Sequence, residues 1–138
     1  MTNKTILVIG TYDTKDDELG FLADVIHAQG GQVIMMDVSV LGDPSKPTDY
    51  SKHDVAQEGG SSIEAAIASG NENHAMQIMS KGAALLTARL FTDGRFDGMI
   101  VLGGTMATDL ALDVCSALPL GVPKYIVSTV SFSPLIPT

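Results

Sequence analysis

Residues 7–19 read LVIGTYDTKDDEL, an apolar run that stops at Gly10, followed by four acids and one lysine before a helical pattern opens at Leu19. A run of β-formers that turns directly into a helix is the repeating unit of an α/β fold. The polar turn between them, GTYDTKDDE, has three readings: a phosphate loop, a metal site, or a capped turn.

The same pattern recurs along the chain. Beside TILVIG (5–10) stand QVIMMDV (32–38), GMIVLGG (98–104) and KYIVSTV (124–130), each nearly continuous in apolar character. Continuous rather than alternating apolar runs suit parallel strands buried on both faces. Helical patterns lie between them. Leu19, Leu22, Ala23 and Ile26 share a face that Gly30-Gly31 terminates. Met79, Ala83, Leu86 and Leu90 form a stripe within 73–91, and a third helix spans 107–117, closed by Pro119. This alternation predicts a doubly wound, mainly parallel Rossmann-like sheet in three α/β/α layers, one domain over 1–138.

Residues 39–72 break the rhythm with two prolines and a glycine pair. Ser51 with Asp54, and Ser61 with Glu64, have capping-box spacing for two short helices. The segment reads as an elaborated surface crossover or as a flap over a ligand. The chain ends on SFSPLIPT after a strand, with no covering helix, which predicts an incomplete half of a longer protein, or one completed by another chain.

Composition narrows the function. The net charge of −8, from 16 acids against 8 Lys plus Arg, opposes a nucleic-acid backbone. A small anion held by a few oriented amides is still compatible with it. No apolar run approaches the ~18 residues that span a bilayer and no leader opens the chain, so a cytoplasmic protein without membrane contact is expected. The single cysteine, Cys115, excludes an internal disulfide and a thiolate zinc cluster.

Ligands of open α/β sheets bind beyond the carboxyl ends of the strands. Four loops fall there, at 11–15, 39–42, 103–108 and 128–133, all rich in Gly, Ser, Thr or Asp. In the first, Thr14 and Asp17 have capping-box spacing, and Asp16, Asp17 and Glu18 complement the dipole of the following helix. Those acids compete with a phosphate for the same amides, so the helix is expected to cap itself while Thr11, Asp13 and Lys15 face the crevice beyond Gly10. Lys15 is read as the only cation near the four loops, either neutralising an anion or solvated in its turn. In the third loop, Gly103-Gly104 permits close approach of a ligand, Thr105 and Thr108 supply hydroxyls, and no acid precedes Asp109. A phosphate fits better there; the alternative is a tight strand-to-helix turn that needs glycine for packing alone. Asp37 ends the second strand, where dinucleotide folds place a ribose-binding acid, and Ser128 and Thr129 follow the fourth strand.

Other motifs are bland. GTYDTKDD lacks the GK[ST] end of a Walker loop, and GGTMAT is not GxGxxG. His27, His53 and His74 are widely separated, match no metal spacing, and read as surface residues, so no protein-held metal site and no catalytic set is assigned. Cys115 and Met35, Met36, Met79 and Met99 read as core. Gly82-Ala83-Ala84 reads as close helix packing, against the sheet by default or against a partner subunit.

GTYDTK (10–15), FLAD (21–24), MDVS (36–39), the M-x-x-G-A element at 79–83, VLGGT (101–105) and LPLGVPKYIVSTV (118–130) together resemble the plant tobamovirus-resistance family, the Tm-one-like ATP-binding proteins. The resemblance runs through essentially all 138 residues. It implies two Rossmann-like halves, of which this is the N-terminal one. It also implies ATP binding and, in the plant member, inhibition of a viral replication protein by direct contact. Many relatives carry GGSGGT where this chain has Gly103-Gly104-Thr105-Met106-Ala107-Thr108, a loss of flexible positions that bears on nucleotide affinity.

The reading is therefore a nucleotide-binding module, with ATP and an accompanying Mg²⁺ as expected ligands and a homo-oligomer as expected assembly. Phosphates are expected on Gly103–Thr105 and Lys15, Asp37 or Ser128-Thr129 near sugar or base, and Asp13 near Mg²⁺ through water. Two alternatives stand: an enzyme acting on a small phosphorylated or carboxylated metabolite with Asp13 and Lys15 as acid and base, and a protein-interaction module using 39–72.

Overall fold

Each apolar run becomes a strand because both of its faces find cover. In the computed structural model, which describes residues 4–44, 47–103 and 105–128, with only the backbone at residues 72, 105–109 and 128, the chain runs β1 (Thr5–Gly10), α1 (Asp16–Ala28), β2 (Gln32–Asp37), α2 (Lys52–Glu58), α3 (Ile63–Ala68), α4 (Glu72–Thr92), β3 (Gly98–Gly103), α5 (Thr105–Ser116) and β4 (Lys124–Ser128). The four strands are all parallel, in the order β2-β1-β3-β4. Leu7, Ile9, Met36, Met99 and Val101 point to one face and meet residues of α2, α3, α4 and α5, while Val8 points to the other with Leu19, Leu22 and Ile26 of α1. The fold is thus α/β, with helices on both faces as the apolar runs predict. The expected strand ends at Gly104, Thr129 and Val130, and the closing SFSPLIPT, lie outside the described residues.

Register lines up the carboxyl ends. Gly10 pairs with Asp37 on one side and Leu102 on the other, and Gly103 pairs with Ser128, so these residues form one edge of the sheet. The connection from β1 leads to one side and that from β3 to the other, which makes the gap between those two neighbours the switch point where such sheets bind ligands. At Gly10 a Cβ would stand 2.7 Å from Leu19 Cδ1 and 2.9 Å from Leu102 O, so glycine here lets α1 lie close on the strand.

The 39–72 segment folds as two short helices, with one expected cap in place and one shifted. Ser51 and Asp54 form the full capping box of α2, whereas α3 is capped by Ser62, whose side chain accepts from Ala65 N–H, and not by Ser61. Before α2, Tyr50 pairs in parallel with Met36 and Asp49 accepts from Met35 N–H at 2.7 Å, covering the open edge of β2.

The expectation that Gly82 serves packing on the sheet is corrected: it packs on α2. A Cβ at Gly82 would fall deep inside contact with Val55 O, and one at Gly59 would meet Ile78 O, so the α2 and α4 backbones touch where neither has a side chain. Ala83, one position on, is the residue that faces the core. Both partners at Gly82 are backbone and cannot rotate away. Gly82→Ala is therefore expected to lower stability by about 3 kcal/mol through overpacking, read as a lower urea midpoint at unchanged slope.

Candidate functional site

The loops beyond β1 and β2 are tied by one carboxylate. Asp37 is 1% exposed, and its Oδ1 accepts from Tyr12 N–H (3.3 Å), Ser39 N–H (3.0 Å) and Ser39 Oγ (2.7 Å). The Asp-x-Ser spacing allows the local half of this set, an Asx-type turn; the bond from Tyr12 is tertiary. Tyr12 is itself buried, its hydroxyl donating to Val8 O at 3.1 Å, and burial, with the Asp37 charge second, pushes its phenol well above the ordinary 10.0.

Farther out, Asp13 Oδ2 accepts from Gly42 N–H at 3.2 Å, and a Cβ at Gly42 would stand 2.8 Å from Asp13 Cβ. The 40–43 turn is held from behind by Lys52. This lysine is 6% exposed, and its Nζ donates to Val40 O (3.3 Å) and Gly42 O (2.8 Å) and pairs with Asp43 at 3.0 Å. The expectation that Lys15 is the only cation near these loops is thereby corrected: Lys52 lies far along the chain from the loop that it holds.

A cleft of about 690 Å³ opens on these loops. Thr11, Asp13 and Thr14 line it from β1, Ser39, Val40 and Leu41 from β2, and Ala66 and Ile67 of α3 with Asn71 and Met76 around the start of α4 form the facing wall. Its size is that of pockets for drug-sized ligands, and its mixture of apolar wall and few polar groups is of the same kind. A second cavity of about 390 Å³ beside Asp54, Glu58 and Arg89 has its charges engaged: Asp54 caps α2, and Glu58 pairs with Arg89.

The expected site residues separate accordingly. Thr11 and Asp13 line the cleft. Asp37 lies beneath it, joining the two loops. Lys15 is the N-cap residue of α1 with no side-chain cap bond, its ammonium 3.7 Å from Glu18. The Thr14–Asp17 capping box does not form; Thr11 O instead accepts from the N–H groups of Thr14 and Lys15, a turn that moves the helix start one residue on. Gly10, Gly103 and Ser128 share the edge in register, and α5 begins at Thr105, two residues after β3 ends. Gly104 and Thr129 lie outside the described residues, as do the side chains of Thr105, Thr108 and Ser128. Ser39, Ile67 and Asn71 were not singled out from sequence; Asp-x-Ser was a readable signal for the first, while the other two reach the cleft only through the packing of α3 and α4.

Residues 4–137 match the N-terminal domain of the uncharacterised protein family UPF0261. The chain belongs to this family. A UPF0261 protein of Brucella suis is 56% identical over 132 residues, which are 96% of this chain and 32% of that protein. One from Clostridium tetani is 40% identical over 129 residues, 94% of this chain and 32% of that protein. The tomato protein named "ToMV susceptible protein tm-1(GCR26)" is 28% identical over 145 residues, 91% of this chain and 19% of that protein. This UPF0261 domain thus spans about a third of the length of its bacterial relatives. Among the described residues, no helix is long and apolar enough to cross a membrane, and no group of three or more His, Cys, Asp or Glu converges on a metal-sized site.

Two variants test the loop scaffold of this UPF0261 domain. Lys52→Met leaves two carbonyl acceptors without their charged donor, and is expected to cost about 2 kcal/mol. It should also speed hydrogen exchange at the Gly42 amide, because the turn it braces presents that amide to Asp13. Tyr12→Phe should cost about 1 kcal/mol for one buried hydrogen bond. The sign of its pH dependence follows from the raised phenol: the folded state keeps the proton longer than the unfolded chain, so stability declines as pH rises above the ordinary 10.0. Tyr12→Phe should remove that component of alkaline unfolding, measured by denaturant midpoints at successive pH values.

Proposed function

We propose that the chain is a nucleotide-binding module, with ATP as the expected ligand, that uses the carboxyl edge of its sheet. The observation that carries this reading is the cleft itself. It lies at the carboxyl ends of β1 and β2, one strand from the switch point, is large enough for a nucleotide, and is walled by loops whose backbones are held from behind. The similarity to the tomato protein, together with the GTYDTK and GVPK motifs, supports the Tm-one-like link and with it the choice of ATP. Across the switch point, after β3, α5 starts at Thr105 with no acid in its first turn, a helix start that suits phosphate.

Asp13 is the one carboxylate among the described lining residues. A Mg²⁺ ion arriving with ATP would keep phosphate oxygens and water as its ligands, a set that suits it, outside the cleft, and would leave Asp13 to accept from ligand hydroxyls.

Calorimetric titration of ATP into the protein and into its Ile67→Trp variant tests the reading. Ile67 lines the cleft yet is 48% exposed, so an indole there fills space without disturbing the core. Saturable binding weakened about tenfold or more by the variant is the expected result, a change of about 1.4 kcal/mol. No saturation by the folded protein would remove ATP as its ligand; equal binding by the variant would move the site away from the cleft.

A further inference from the structure

The charge arrangement around the cleft specifies which part of a ligand it can take. We propose that the cleft receives an uncharged, hydroxyl-bearing, partly apolar group, the nucleoside portion of a nucleotide, and that it excludes phosphate. This rests on the nucleotide reading and assigns the division of the ligand within it.

Among the described residues around the β1 and β2 loops, each cation and helix start has an acid or an acceptor of the protein beside it. The N-terminal turn of α1 carries Asp16, Asp17 and Glu18, which complement its dipole. The amides of Asn73 and His74, at the start of α4, donate to Asn71 Oδ1. Lys15 stands by Glu18, and Lys52, which does not line the cleft, donates to Val40 O and Gly42 O and pairs with Asp43. Among the described lining residues there is no lysine or arginine, and the one charged group is the Asp13 carboxylate. Bringing a polyphosphate there sets like charges together with no side-chain cation among the described lining residues to offset them, in a chain that already carries −8.

What the lining offers instead is the hydroxyl of Thr11, of Thr14 and of Ser39, the amide of Asn71 and a carboxylate acceptor, opposite an apolar wall of Val40, Ala66, Ile67 and Met76. A carboxylate and hydroxyls recognise ribose hydroxyls and ring N–H groups, and the apolar wall covers the faces of a base. The phosphates then leave the cleft toward the switch point.

The test compares adenosine, ATP and inorganic tripolyphosphate by calorimetry at fixed ionic strength, with the protein and with Ile67→Trp. Adenosine is expected to saturate with a Kd within about threefold of that of ATP, tripolyphosphate to leave adenosine binding unchanged, and Ile67→Trp to weaken adenosine and ATP alike, by about tenfold. If ATP binds but adenosine neither binds nor competes, or if tripolyphosphate displaces adenosine, the division is overturned while the nucleotide reading stands. Adenosine binding without ATP binding would support the anion-excluding cleft and overturn the nucleotide reading. Failure of both to bind the folded protein overturns both.

Discussion

A buried carboxylate must be surrounded by donors, and at Asp37 that requirement organises the carboxyl edge of the sheet. With 1% exposure, the side chain has lost almost all of its hydration, and transfer of a charge out of water is tolerated only where hydrogen bonds replace what is lost. The donors are supplied by Tyr12 on one loop and by Ser39 on the next, so the loop after β1 and the loop after β2 are fixed relative to each other by a single oxygen. Everything outward follows from that junction. Asp13, one residue past Tyr12, meets the Gly42 amide three residues past Ser39, and Lys52 closes the turn from the rear. None of these contacts requires a ligand, so the proposed site would be shaped before one arrives, which would lower the ordering cost of binding.

The opposite wall depends on a different constraint, the absence of side chains. α2 and α4 approach until backbone meets backbone at Gly59 and Gly82, and this close approach sets the path along which α3 and the first turn of α4 reach the cleft. Gly60 and Gly70, on either side of α3, have φ of 82° and 66°, a conformation that favours glycine, so the short helix is bounded by two sharp turns of fixed kind. The wall is thus specified by four glycines and a capped six-residue helix rather than by a large apolar contact.

These two origins explain what could be read from the sequence. The strands were legible because continuous apolar runs at 5–10, 32–37, 98–103 and 124–128 have one structural reading when helical patterns intervene. The helix stripes and the Ser51–Asp54 box were legible because caps and periodicity are local. Thr14 misled because its spacing to Asp17 is right for a capping box while Thr11 O, three residues earlier, takes the Thr14 N–H that the box would give to the Asp17 carboxylate. Lys52 and Gly82 misled for a different reason: a lysine that braces a turn ten residues back and a glycine that admits another helix carry no periodic or spacing signature. Along the cleft, Thr11 and Asp13 followed from their place after a strand, and Ile67 and Asn71 did not, since they reach the cleft through the packing of α3 and α4.

The same distinction separates the two ends of the proposed ligand. A residue's charge is visible in the sequence; whether that charge is available is not. Lys15 reads as a phosphate partner until Glu18 is seen beside it, and the three acids in the first turn of α1 oppose an anion at its amides. By contrast α5 follows β3 after one intervening residue and brings no acid into its first turn. The two helices that follow the strands flanking the switch point therefore differ in the charge of their first turns: α1 opens on three acids and α5 on none. A ligand with one neutral and one anionic end placed across β1 and β3 has a single orientation that respects both, with its neutral end over the β1 and β2 loops and its charge toward α5.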